Sequence, residues 1–179
     1  MTGQREAPPL PALGSAAWLV LGEPHLAAVQ QLFVRCTDFI ERIEARPTRG
    51  DEATHLLEDL PPGREPSDKL ALGVVQHGAL VGVIDLVRDF PRAGTWYVGL
   101  LLLAPECRGN GLGERIHDAL AAWIAEQGGS RLRLIVQEQN PAALRFWLRL
   151  GYQVCGSAVQ HLELRAHDVA ILERSLPLP

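Results

Sequence analysis

Residues 108–113 read Arg-Gly-Asn-Gly-Leu-Gly, between an apolar run at 98–105 and an amphipathic stretch that starts at Leu112. Strand, glycine-rich turn and helix start together make an anion site. The first N–H groups of a helix have no intrahelical acceptor, and the helix dipole adds partial positive charge there. Glycines let the main chain approach phosphate oxygens with no Cβ in the way. Two phosphate-binding patterns can be tested letter by letter. A P-loop needs G-x-x-x-x-G-K-[ST], and the chain contains no Gly-Lys-Ser/Thr. A dinucleotide fingerprint needs G-x-G-x-x-G, and Glu114 stands where its last glycine belongs. Neither fits.

The elements around this loop follow from periodicity. A short apolar run at 16–21 reads as a strand, ending at Gly22-Glu23-Pro24. Leu26, Val29, Leu32/Phe33, Cys36 and Phe39/Ile40 then recur at threes and fours, which predicts one helix that Pro47 stops. A second helix is expected from near Thr48, with Ala53, Leu56/Leu57 and Leu60 inward, as far as Pro61. Strands at 69–76 and 80–87 flank a turn at His77-Gly78-Ala79, and a third occupies 95–103. The four leucines 100–103 lack alternation, so both faces should be covered.

Downstream of the loop, Leu112, Ile116, Leu120 and Trp123/Ile124 form a helical stripe that Gly128-Gly129 ends. A strand at 131–136 follows, then a helix opened by Asn140-Pro141 and closed by Gly151. Two β-like runs, 152–154 and 169–172, complete the chain with a polar middle. The order is β-α-α-β-β-β-α-β-α-β-β, a mixed α/β (α+β) domain spanning 1–179. The proline-rich residues 1–14 are expected to fray as a tail.

Arg108, Gly111 and Gly113 form R-x-x-G-x-G, preceded by Pro105 and the leucine strand. Asn140, Ala143, Trp147, Arg149, Gly151 and Tyr152 sit at the spacing N-x-x-A-x-x-x-Y-x-[KR]-x-G-[FY], except that tryptophan replaces tyrosine. With these two segments the chain resembles the GNAT superfamily of acyl-CoA N-acyltransferases. The resemblance implies a central mixed, mostly antiparallel sheet with helices on both faces, and acetyl-CoA as acyl donor. It also implies site roles. Main-chain amides of Arg108, Gly109, Asn110, Gly111, Leu112, Gly113 and Glu114 would cradle the pyrophosphate. Leu101, Leu102 and Leu103 would pair with the pantetheine arm, a main-chain N–H near Leu103 polarising the thioester carbonyl. Asn140 would bond the pantetheine and Ala143 would leave it room. Trp147 would lie near the sulfur.

Two departures bear on catalysis. The family's tyrosine, a general acid, is Trp147 here, and an indole N–H is no useful acid. Water, Tyr152 or Tyr97 is left to fill that role. The strand at 95–103 has no carboxylate, so Asp85, in register with Val81, Val83 and Val87, is the candidate base; burial would raise its pKa. Plainer readings stand beside these. Asn140 before Pro141 makes a good N-cap by itself. Trp147 and Phe146 fit core spacing. Asp38, Glu41 and Glu44 could read an amine or form a solvated helix face. Cys107 beside a helix start could have a lowered pKa without any catalytic role.

The composition bounds the rest. A net charge of −4 over 179 residues disfavours nucleic acid as the main partner. No apolar run reaches membrane-span length, and the N-terminus lacks the apolar core of a signal peptide. Three scattered cysteines without C-x-x-C suit a reducing cytoplasm, and the six histidines show no metal-ligand spacing. The expected reaction is direct acetyl transfer to a primary amine of a small molecule or protein in a ternary complex, and a homodimer is compatible with it. Two rival readings are an acyl-CoA sensor without activity and an O-acyl or longer-chain transferase. Coenzyme A at ~100 times its dissociation constant should stabilise the fold by about 2.7 kcal/mol, seen as a rise in Tm. An unshifted melt would contradict the reading of the loop.

Overall fold

The structure, a computed structural model, describes residues 9–161 and 166–177. Seven strands form one sheet in the order β1-β2-β3-β4-β5-β7-β6. They are β1 (Ala16–Val20), β2 (Lys69–Gln76), β3 (Ala79–Arg88), β4 (Thr95–Leu103), β5 (Arg131–Gln137), β6 (Gln153–His161) and β7 (Ala166–Ser175). All neighbours are antiparallel except β4 and β5. The helices are α1 (Leu26–Arg35), α2 (Thr37–Glu44), α3 (Glu52–Glu58), α4 (Leu112–Glu126) and α5 (Pro141–Arg149). This is the mixed α/β architecture expected.

The period-2 alternation of the central strands buries both faces. Ile84, Leu86, Val98 and Leu132 lie against Ile116, Leu120 and Ile124 of α4. Val81, Val83 and Val87 occupy the opposite face of β3, where α1 packs, and all three are buried. α3 is pinned by Glu52, 5% exposed, whose carboxylate accepts the N–H groups of Arg49 (2.7 Å) and Gly50 (3.1 Å) and the Gln30 amide (2.7 Å).

Four expectations need correction. The single helix predicted before Pro47 is two, because Cys36 (φ −100°, ψ 28°) breaks the ladder between α1 and α2. The apolar stripe crosses that break without a phase slip, so periodicity could not reveal it. The helix expected from Thr48 starts only at Glu52. The C-terminal strands are longer than the two apolar runs; β6 is an edge strand, exposed along most of its length, so it needs no apolar pattern. Among the four leucines only Leu102 is buried, and the others are half-covered. Of residues 1–14, those at 1–8 lie outside the described residues. Leu13 is 5% exposed, and Pro11 O accepts Trp18 Nε1–H at 2.7 Å.

Leu112, 1% exposed, anchors the first turn of α4 in the core. Leu112→Ala should cost about 2–5 kcal/mol in denaturant unfolding, the usual range for an emptied leucine site. A loss below about 1 kcal/mol would mean that this turn is not held by packing.

Candidate active site

β4 and β5 pair at only three positions, Thr95 with Arg131, Trp96 with Leu132 and Tyr97 with Arg133. Beyond Tyr97 the two strands diverge. Ala104 N–H donates to Val81 O at 2.8 Å, so that peptide faces β3. Peptide groups alternate sides along a strand, so Leu103 and Leu101 turn their N–H groups into the gap. Part of that side is taken up within the protein: Leu103 O accepts Arg108 Nε–H at 2.8 Å and the Cys36 thiol at 3.4 Å.

The loop closes the open end of the gap. Gly109 and Gly111 have φ of 76° and 80°, the left-handed region that glycine adopts at least cost. No atom lies within 4 Å of a Cβ built on Gly109, and only Arg115 Nη1, at 3.4 Å, meets one on Gly111. Two amides of the expected cradle are already engaged. Arg108 N–H donates to Pro105 O at 3.2 Å, and Leu112 N–H to Asn110 Oδ1 at 3.1 Å. The amides of Gly109, Asn110, Gly111, Gly113 and Glu114 have no acceptor among the described residues.

A cavity of about 440 Å³ lies over this surface. Leu101, Leu102, Leu103, Arg108, Gly109, Gly111, Gly113, Glu114 and Asn140 border it. A narrower crevice of about 140 Å³ continues between the strands, bordered by Tyr97, Gly99, Asn140, Ala143, Trp147 and Gln160. Asn140 joins the two spaces and also caps α5, its Oδ1 accepting Ala143 N–H at 3.3 Å. Asn110 and Leu112 border neither space: one caps the turn, the other is core.

The candidate catalytic side chains separate. Tyr152 is 2% exposed, its hydroxyl is buried without a partner among the described residues, and it stacks edge-on against Trp147 and His117. Burial drives its pKa upward, and it borders neither space. The structure therefore does not bring Tyr152 to the gap. Tyr97 does border the crevice, and burial pushes its pKa up to about 12. Trp147 is 8% exposed and touches both crevice and core.

Asp85 lies on β3 where the register slips, so that Gly99 is an extra residue opposite it. Its Oδ2 is 2.5 Å from the position a Gly99 Cβ would take, so any side chain there would have to displace the carboxylate. Lys69 Nζ donates to Asp85 Oδ1 at 2.7 Å and to Asp59 O at 2.8 Å. Burial raises the Asp85 pKa, and the Lys69 charge opposes the rise.

Sequence reasoning missed the wall supplied by α2 and α5. Asp38, Phe39, Arg42, Phe146 and Arg149 all border the larger cavity. Asp38, weighed with Glu41 and Glu44 as amine reader or solvated face, is instead bound by Arg108, at 2.6 and 3.2 Å. That hydrogen bond, before any other effect, lowers the Asp38 pKa. The i, i+4 spacing of Asp38 and Arg42 was the available signal, but it marks any helix face equally.

A diverging strand pair, free loop amides and an elongated cavity define a site for a phosphorylated, thread-like cofactor, as in acyl-CoA-dependent transferases. Comparison with known proteins agrees. The family described as "Acetyltransferase (GNAT) family" matches residues 26–152. No curated protein matches the sequence significantly. Solved structures are similar in fold. One is the Salmonella typhimurium acetyltransferase that modifies the N-terminal serine of ribosomal protein L7/L12, with TM-score 0.76, 18% identity and coverage of 94% of this chain and 99% of that one. An acetyltransferase from Thermus thermophilus gives 0.72 at 18%, covering 90% and 97%. Vibrio cholerae spermidine N-acetyltransferase, in complex with CoA and spermine, gives 0.69 at 16%, covering 91% and 96%. The chain belongs to the GNAT acetyltransferase family. It is an acyl-CoA-dependent N-acyltransferase with acetyl-CoA as donor.

The residues fit that donor. Gly111→Val would place a branched side chain where main chain is expected to meet phosphate. Calorimetric titration should show loss of measurable coenzyme A binding, with the circular dichroism of the fold kept. Unchanged affinity in a folded variant would refute the assignment of the loop.

Proposed function

We propose that the protein transfers the acetyl group of acetyl-CoA to a primary amine, of a small molecule or of a protein, by direct attack within a ternary complex. The observation that carries this reading is the divergence of β4 and β5, which opens a channel from the loop amides to the crevice at Gly99. Bound acetyl-CoA supplies an activated acyl group as a thioester. The amides of Gly109, Gly111, Gly113 and Glu114 hold its pyrophosphate, helped by the dipole of α4. Leu101 and Leu103 offer main-chain groups to the pantetheine arm, and the Leu103 N–H stabilises negative charge developing on the carbonyl oxygen. Asn140 and Ala143 bound the arm, and Trp147 packs beside it.

Asp85 is the proposed base. Its support is proximity to the crevice through Gly99, where no side chain intervenes, together with a raised pKa that suits removal of a proton from an ammonium. Thiolate departure is assigned to water or Tyr97, since Tyr152 is sealed in the core. Enzymes of similar structure are named for a ribosomal-protein terminus and for spermidine as acceptors, and both amine classes belong in a screen.

The test is release of free thiol from acetyl-CoA over a panel of peptide and small-molecule amines. Absence of turnover with every amine would favour an acyl-CoA sensor. Turnover of alcohols would favour an O-acyltransferase, and a preference for longer thioesters a longer-chain one. Asp85→Asn should lower kcat at least about a hundredfold while leaving acetyl-CoA binding intact. In the wild type, kcat/KM should rise with pH through an ionisation above the ordinary aspartate value, since the carboxylate must be charged to accept a proton. A loss under about tenfold with the same pH profile would remove Asp85 from the mechanism.

A further inference from the structure

The sheet has two edges, and they differ. β1 is five residues long and partly covered. β6 is nine residues long, and Gln153, Val154, Cys155, Gly156, Ser157, Ala158 and Val159 are all exposed. Val154 and Val159 are 54% and 53% exposed. Natural sheets usually blunt such an edge with lysine, proline, a β-bulge or another segment laid across it, and among the described residues β6 has only a bulge. Residues 153–160 contain no charge and no proline. An uncharged row of unpaired N–H and C=O groups invites a further strand.

The sequence of β6 indicates which strand. Residues 153–160 read Gln-Val-Cys-Gly-Ser-Ala-Val-Gln, nearly the same in both directions. In a regular strand that palindrome would be useless. Its centre falls between two residues, and antiparallel self-pairing about such a centre would oppose residues that point to different faces. The β-bulge removes the conflict. Against β7, Val154 is opposite Leu172 and Gly156 opposite Ile171, so Cys155 is an extra residue. With Cys155 out of the count, Val154, Ser157 and Val159 share one face, and Gln153, Gly156, Ala158 and Gln160 share the other. The strand is then symmetric about Ser157.

We infer that β6 is the edge through which two copies of this chain form an antiparallel, two-fold dimer. Ser157 meets its own counterpart on the axis. Gly156 faces Ala158, Val154 faces Val159, and Gln153 faces Gln160, each pair occurring twice, as an isologous contact requires. The two exposed valines thereby gain apolar partners. The dimer joins two seven-stranded sheets into one continuous sheet.

Analytical ultracentrifugation of the full chain over a range of concentrations is the first test, and a dimer is expected. Ser157→Lys brings two like charges together on the axis, so it should sediment as a monomer with unchanged circular dichroism and coenzyme A binding. Disulfide trapping tests the register. In a Cys155→Ser background, Ser157→Cys places two thiols at directly opposed positions, within reach of a disulfide, and oxidation should yield a covalent dimer. Ala158→Cys, opposed to Gly156 rather than to itself, should cross-link much less. A wild-type chain that is monomeric at every concentration overturns the inference. So does a dimer that survives Ser157→Lys, or cross-linking that is stronger at 158 than at 157.

Discussion

The divergence of two parallel strands after three paired positions is the constraint on which everything else here depends. A continuous sheet would consume every main-chain group of Leu101 and Leu103 in its own ladder. Separation costs those hydrogen bonds, and an unpaired buried amide is expensive. The fold limits that cost locally. Arg108 and Cys36 satisfy the Leu103 carbonyl, and the cavity leaves the remaining groups open to solvent or ligand. Ile116 and Leu120 of α4 and Trp147 of α5 lie behind the parted strands.

Several charges around the site are committed to internal partners. Arg108 holds Asp38, Lys69 holds Asp85, and Glu173 is gripped by Arg131, Arg133 and Arg92. Such pairs contribute position more than stability, because solvent screens the exposed ones and desolvation offsets much of the attraction of the buried ones. The Arg108–Asp38 pair ties α2 to the turn before α4, so the wall and the loop keep a fixed relation. Lys69, itself bonded to the end of α3, holds the Asp85 carboxylate toward the bulge at Gly99. In each case a residue remote in sequence sets the geometry of a site residue.

That remoteness explains what was and was not legible in the sequence. The loop and the start of α4 could be read because their meaning is local: glycines at set offsets and a helical stripe immediately after. β4 was legible to the residue. The break at Cys36 was hidden because burial demanded the same stripe on both sides of it. Tyr152 looked available beside Gly151, yet its neighbours His117 and Trp147 come from other elements and bury it. The Asp38–Arg108 pair spans 70 positions, and no local pattern encodes it. The extent of β6 was missed for the opposite reason, since an exposed edge places no apolar demand on its residues.

On the proposed reading the loop recognises with glycine amides, and the leucine strand with peptide groups. Recognition by main chain leaves little imprint on residue identity. What must persist is a path of the backbone: two turns that tolerate positive φ, a strand that parts from its neighbour, and a helix aimed at the opening. Many sequences can draw that path. A protein 18% identical overlays this one with a TM-score of 0.76. Such a path fixes the fold while leaving most residue identities open.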